Sequence, residues 1–209
     1  MSTTDDQVRD ISEKCGYAAA ALTILPIPGS EIIAVMPLHV GMVVKIGQIH
    51  GVDVDRDDAQ HLIMRIGATV GMSLVGSRVA TTAAKIILPG LGGLISAPFM
   101  YASTIAIARV ADLYFARQGD VSENDLKSLY KQTVKKARKS FDPTKARSDE
   151  AKNQAQAAVE ETKDAPPPPA EAVEADPAKR LERLKALLDQ GLIEPDEYET
   201  AKKRVLDEI

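Results

Sequence analysis

The stretch Ile86–Ala108, IILPGLGGLISAPFMYASTIAIA, decides how the rest of the chain is read. It has no charged residue and is bracketed by Lys85 and Arg109. A helix needs about 20 mainly apolar residues to cross the core of a bilayer, and this run is long enough. Pro89, Gly90, Gly92, Gly93 and Pro98 rule out one smooth helix. The reading is an elbow at Pro89–Gly93 followed by a helix from Leu94 to Arg117. That makes the stretch either a broken membrane segment or the buried middle of a helical bundle.

The sequence upstream repeats the design. Val8, Ile11 and Cys15 recur at spacings of three and four, and the run YAAAALTIL is apolar on every side. A helix over 4–25 follows, buried in protein or in lipid. Pro26-Ile27-Pro28-Gly29 ends it. Ser30 and Glu31 suit the start of a second helix, which runs to Ile49 with Pro37 inside it and Gly51 as its stop. The acidic loop Asp53–Asp58 opens a third helix, Arg56–Ile87, with Gly67 and Gly71 spaced for close helix contact. The result is two hairpins with Pro/Gly elbows, LPIPG and LPGLGG.

Beyond Gly119 the composition changes. The chain of 209 residues is 44% hydrophobic and 27% charged, but the charge is concentrated after residue 118. Ser122 and Asp125 open a fifth, amphipathic helix, Glu123–Ser140. Lys127, Lys131, Lys135, Lys136, Arg138 and Lys139 make its outer face basic. From Phe141 to Asp176 large apolar residues are scarce and Pro166–Pro169 run together. Such a segment buries too little surface to offset chain entropy, and it reads as a disordered linker. Order returns at Pro177–Ile209. Leu181, Leu184, Leu187 and Leu188 stripe one short helix, Leu192 lies in the turn, and Tyr198 and Val205 stripe a second. Pro195 suits the first position of that second helix, with Glu194 before it and Glu197 two residues on.

The fold class is therefore all-α. The divisions are a hydrophobic, membrane-associated helical domain (1–118), the basic amphipathic helix (119–140), the linker (141–176) and a C-terminal helical hairpin (177–209). With 4% aromatics and no Trp, the core is built of Ala, Val, Ile, Leu and Met. A formal net charge of -4 and few stacking side chains exclude a general nucleic-acid binder. The single Cys15 excludes an internal disulfide, and the polar start MSTTDDQVRDISEK lacks the pattern of a secretory signal.

No catalytic arrangement emerges. Gly90-Leu91-Gly92-Gly93 lacks the Lys-Ser/Thr of a phosphate loop and follows no strand. Asp53, Asp55 and Asp57 open like a calcium loop, but Asp58 and Met64 stand where Gly and Glu are needed, so helix capping explains them better. His39, His50 and His61 are eleven residues apart, which is not zinc spacing. Cys15, next to an apolar run, reads as a buried, inert thiol. Neither an enzyme, a cofactor nor a metal is expected.

Two resemblances follow from particular residues. Pro26, Pro28, Gly29, Met42–Gly47, Gly51-Val52-Asp53 and Leu88-Pro89-Gly90 resemble a bacterial domain family of YcjF-type inner-membrane proteins and tails of Era-like GTPases. His39 stands where that pattern has Gln. LERLKALLDQGLIEPDEYETAKKRVLDEI resembles the bacterial short C-terminal domain, with Glu194-Pro195 in place of the commoner Thr at the cap. The first resemblance, over 14–115, implies membrane association. The second, over 178–209, implies an oligomerisation or docking role.

These readings converge on a non-enzymatic scaffold or adaptor on the cytoplasmic side of a bacterial inner membrane, peripheral or re-entrant. Leu88, Pro89, Leu91, Leu94, Ile95, Phe99, Ile24, Leu25 and Ile27 are its candidate lipid contacts. The six basic residues of the fifth helix are the candidate contacts to an anionic surface. Leu181, Leu184, Leu187, Leu188, Leu192, Tyr198 and Val205 are the candidate self-association residues. The alternative is a soluble, cytoplasmic all-α adaptor that docks a partner protein such as a GTPase.

Overall fold

A computed structural model describes residues 3–24, 30–71, 96–162, 177–189 and 191–207. All the regular structure among them is helical: α1 (Thr4–Leu22), α2 (Ser30–Ile49), α3 (Arg56–Gly71), α4 (Ala97–Ala116), α5 (Glu123–Lys139), α6 (Pro143–Ala146), α7 (Asp149–Glu161), α8 (Pro177–Asp189) and α9 (Pro195–Asp207).

Local chemistry sets most of the boundaries. Thr3 caps α1 in a reciprocal box: its hydroxyl accepts from the Asp6 backbone at 3.2 Å, and the Asp6 carboxylate accepts from the Thr3 backbone at 3.4 Å. Asp5 and Asp6 complement the positive first turn. The second helix runs through Pro37 and stops at Gly51. Gly51 has φ +72°, its N–H donates to Gln48, and Val52 N–H donates to Gly47, which is the double bond of a Schellman stop. Asp55 caps α3 by accepting from the Asp58 backbone at 2.8 Å.

α4 lies at the centre. Ser96 is its N-cap, accepting from Phe99 N–H at 3.3 Å, and Pro98 occupies the first turn where no donor is missed. Phe99, Met100, Tyr101, Ala102, Ser103, Thr104, Ala106, Ile107, Ala108, Val110, Ala111 and Phe115 are all buried. Residues on every side of the helix are thus covered, because α1, α2, α3 and α5 pack around it. Gly16 of α1 lets Tyr101 approach so closely that a Cβ there would lie 2.9 Å from the ring. Tyr17 and Tyr101 have ring centroids 4.5 Å apart, and Phe141 closes on both.

For the half of Ile86–Ala108 that the structure describes, the buried middle of a bundle is the observed arrangement. Its helix starts at Ala97 rather than Leu94, because Ser96 and Pro98 supply the cap and first turn. The Pro89–Gly93 elbow, the Pro26–Gly29 elbow and 72–87 of the expected third helix lie outside the described residues. No helix among the described residues is long and apolar enough to cross a membrane.

The stretch after Phe141 differs from its reading as a linker. Asp142-Pro143 starts a helix instead of only ending one: Asp142 accepts from Thr144 N–H at 2.8 Å and Pro143 sits at N1. Ser148 then caps α7. Ala151, Ala155 and Ala158, at spacings of four and three, are buried where α7 packs on α1 and α2. Alanine buries little area, but it loses no side-chain entropy and lets helix backbones meet closely. Residues 163–176 lie outside the described residues. Packing therefore joins α1–α7 across the boundaries at 118/119 and 140/141.

Candidate functional site

Lys127, Lys131, Lys135 and Lys139 follow one another every four residues along α5, and Lys136 lies beside them. Spacing by four keeps residues on one side of a helix, so the row is about 18 Å long. Lys135, Lys136 and Lys139 are exposed, and Lys127 and Lys131 are partly so. The opposite side of α5, with Leu126, Tyr130, Val134 and Ala137, is buried against the bundle. Burial pushes the Tyr130 phenol up to about 12, with neighbouring Ser103 acting the other way. The helix is thus fixed by its apolar side with its lysines directed to solvent.

Arg138, the one arginine of α5, does not join them. Its side chain is 9% exposed, and its guanidinium pairs with Glu197 and donates to the Leu192 carbonyl. Burial holds the guanidinium below its ordinary value, while Glu194 and Asp196 act to raise it. Glu197 is shared further. It accepts from the Ser96 hydroxyl, and from the Glu194 backbone at 2.8 Å, where it caps α9 as the sequence indicates. One carboxylate thereby ties together the start of α4, the end of α5 and the start of α9. Sequence reasoning missed this junction; its one trace is an arginine set among lysines.

The hairpin is well formed in itself. Gly191 has φ +65°, and the N–H groups of Gly191 and Leu192 donate to Leu188 and Leu187. Among the described helices, α8 and α9 pack chiefly on each other. Leu184, Leu187, Leu192 and Val205 are buried, Leu181, Leu188 and Tyr198 partly so, and Leu206 is 49% exposed.

Of the candidate lipid contacts, Ile24 is 41% exposed and Phe99 is 6% exposed within the core. Leu25, Ile27, Leu88, Pro89, Leu91, Leu94 and Ile95 lie outside the described residues. The three histidines are separated. His39 is buried and bonded to Thr104 at 2.9 Å, His50 is bonded to Asp112 at 2.8 Å, and His61 is exposed. Asp112 also takes Arg109 of its own helix at 3.2 Å, and its bond to His50 clips the end of α2 to α4. Burial pushes the Cys15 thiol up to about 11, against the pull of Lys45. Among the described residues no cluster of His, Cys, Asp and Glu could hold a metal ion.

Comparison with known proteins bears on both ends of this arrangement. Residues 179–206 match the family model of the short C-terminal domain, in agreement with the sequence reading of the hairpin. No solved structure matches the chain. Magnetosome membrane protein 22 of Magnetospirillum gryphiswaldense is 31% identical over 142 residues, covering 64% of this chain and 72% of that protein. A match covering that share of 209 residues necessarily includes α4. The chain therefore belongs to the family of magnetosome membrane protein 22.

Proposed function

We propose that this protein is a non-enzymatic scaffold that binds the surface of an anionic membrane and presents its C-terminal hairpin for self-association or docking. The observation that carries the reading is the lysine row of α5, fixed to the bundle from behind and open to solvent in front. Each lysine held near an anionic leaflet contributes about 1 kcal/mol, so four or five suffice for reversible binding. The relative's name, magnetosome membrane protein 22, supports it. Ile24 and the Pro/Gly elbows add apolar contact in this reading, and Leu181, Leu188 and Tyr198 are the hairpin residues left for a second copy. The side of the membrane is the cytoplasmic one, where anionic lipid faces basic segments.

The burial of α4 by its own neighbours favours a second reading, an all-α adaptor that docks a partner protein such as a GTPase without lipid. Flotation of the full chain with phosphatidylserine-containing and with purely phosphatidylcholine vesicles separates the two. The membrane reading expects flotation with the anionic vesicles, loss at high salt, and loss when Lys127, Lys131, Lys135 and Lys139 become Gln. A protein that stays at the bottom of the gradient with anionic vesicles at low salt leaves the adaptor reading.

A further inference from the structure

Arg138 is carried by the same helix as the exposed lysines, one residue before Lys139 and two after Lys136. It is turned inward onto Glu197, where both side chains are largely shielded, at 9% and 18% exposure. Around this pair the Leu192 carbonyl on Arg138 and the Ser96 hydroxyl on Glu197 add polar ties between hairpin and bundle, beside buried Leu192 and Ile193, which are continuous with the core. The helices α8 and α9 themselves pack chiefly on each other. A small unit with its own internal packing, tied to the body by a shielded ion pair among its contacts, can separate as a whole once that pair is broken. The ion pair also lies at the end of the very surface that would meet anionic lipid.

We propose that the Arg138–Glu197 pair is a latch that holds the C-terminal hairpin against the bundle, and that an anionic membrane surface opens it. Phosphate and carboxylate groups gathered by the lysine row compete with Glu197 for the guanidinium, which binds such groups in the same forked geometry. Once Arg138 turns outward, Glu197 keeps its partner within the hairpin, the Glu194 backbone, and loses its tie to α5. The freed hairpin then exposes the side that faced the bundle. This regulation rests on the membrane reading above, whereas the latch itself does not require lipid.

Hydrogen exchange of the full-length chain, followed in peptides spanning 195–207, tests both parts. Without lipid the wild type is expected to exchange slowly there, and Glu197→Gln at least tenfold faster. Arg138→Gln, which leaves Glu197 in place to cap α9, is expected to speed exchange as Glu197→Gln does, which separates loss of the pair from damage to the hairpin's own cap. Phosphatidylserine-containing vesicles are expected to speed exchange in the wild type as much as Glu197→Gln does, and phosphatidylcholine vesicles to leave it unchanged. Glu197→Gln should also bind the anionic vesicles at several-fold lower lipid concentration. Equal exchange in wild type and Glu197→Gln without lipid overturns the latch. Slow exchange in wild type that is floating on anionic vesicles overturns the coupling while the membrane reading survives. Absence of flotation overturns the membrane reading and the coupling with it, and leaves the latch to be judged by the lipid-free comparison.

Discussion

His39 sits in the middle of the bundle, and its chemistry is fixed by one neighbour. The Thr104 hydroxyl gives its proton to the Met100 carbonyl at 2.9 Å, so it must accept from His39 Nε2–H. That bond places a proton on Nε2, and burial pushes the ring's pKa down to about 4, which keeps it neutral near pH 7. An unfolded histidine titrates near 6.5, so between those values the unfolded chain binds the extra proton. Stability from this residue is complete above about pH 6.5, falls as pH drops towards 4, and levels off below; the full span is on the order of 3 kcal/mol. Urea titrations between pH 7 and 4 are expected to show this slope in the wild type and a shallower one in His39→Gln, which retains a donor to Thr104. Parallel slopes would place the acid sensitivity elsewhere. None of this was legible in the sequence, where three evenly spaced histidines gave no hint that one would meet a threonine 65 residues away.

At the scale of elements, legibility followed side-chain size. The helix of Ala97–Ala116 announces itself through a long uncharged run, and that of Glu123–Lys139 through a regular apolar stripe and a serine cap. The short C-terminal hairpin was legible down to the roles of Gly191, Pro195 and Glu197. By contrast α7 packs through Ala151, Ala155 and Ala158, and among Glu, Lys and Gln three alanines resemble filler. A close-packed helix and a loose one differ there only in what lies opposite. Substitution exposes the difference. Ala155→Leu is expected to cost about 1–3 kcal/mol by overpacking against α1 and α2, whereas Ala157→Leu, on the exposed side, should fall within about 0.5 kcal/mol of wild type. Two neutral substitutions, compared by thermal melting, would return 149–161 to the status of a linker.

At the scale of the molecule, one continuous core runs through α1–α5, takes in α6 and α7, and reaches Leu184, Leu192 and Val205 of the hairpin. Among the described residues the covered length of α4 organises it. Which surfaces meet could not be read from periodicity, because a helix that is apolar all round gives no preferred side. Arg138 and Glu197, 59 residues apart, likewise met only through the fold. A core of this continuity should unfold in one step. Circular dichroism at 222 nm and tyrosine emission are expected to report coincident midpoints in urea, and separated midpoints would mean that α6–α7 open on their own.

With no tryptophan in the chain, that emission comes from five tyrosines, of which Tyr17 and Tyr101 meet at a tilt across the seam between α1 and α4. Rings at that distance exchange excitation and quench one another, so the folded protein should glow more faintly than its five phenols in isolation. Parting the two helices would brighten it. The seam thus carries an optical gauge of its own closure, readable without any attached dye.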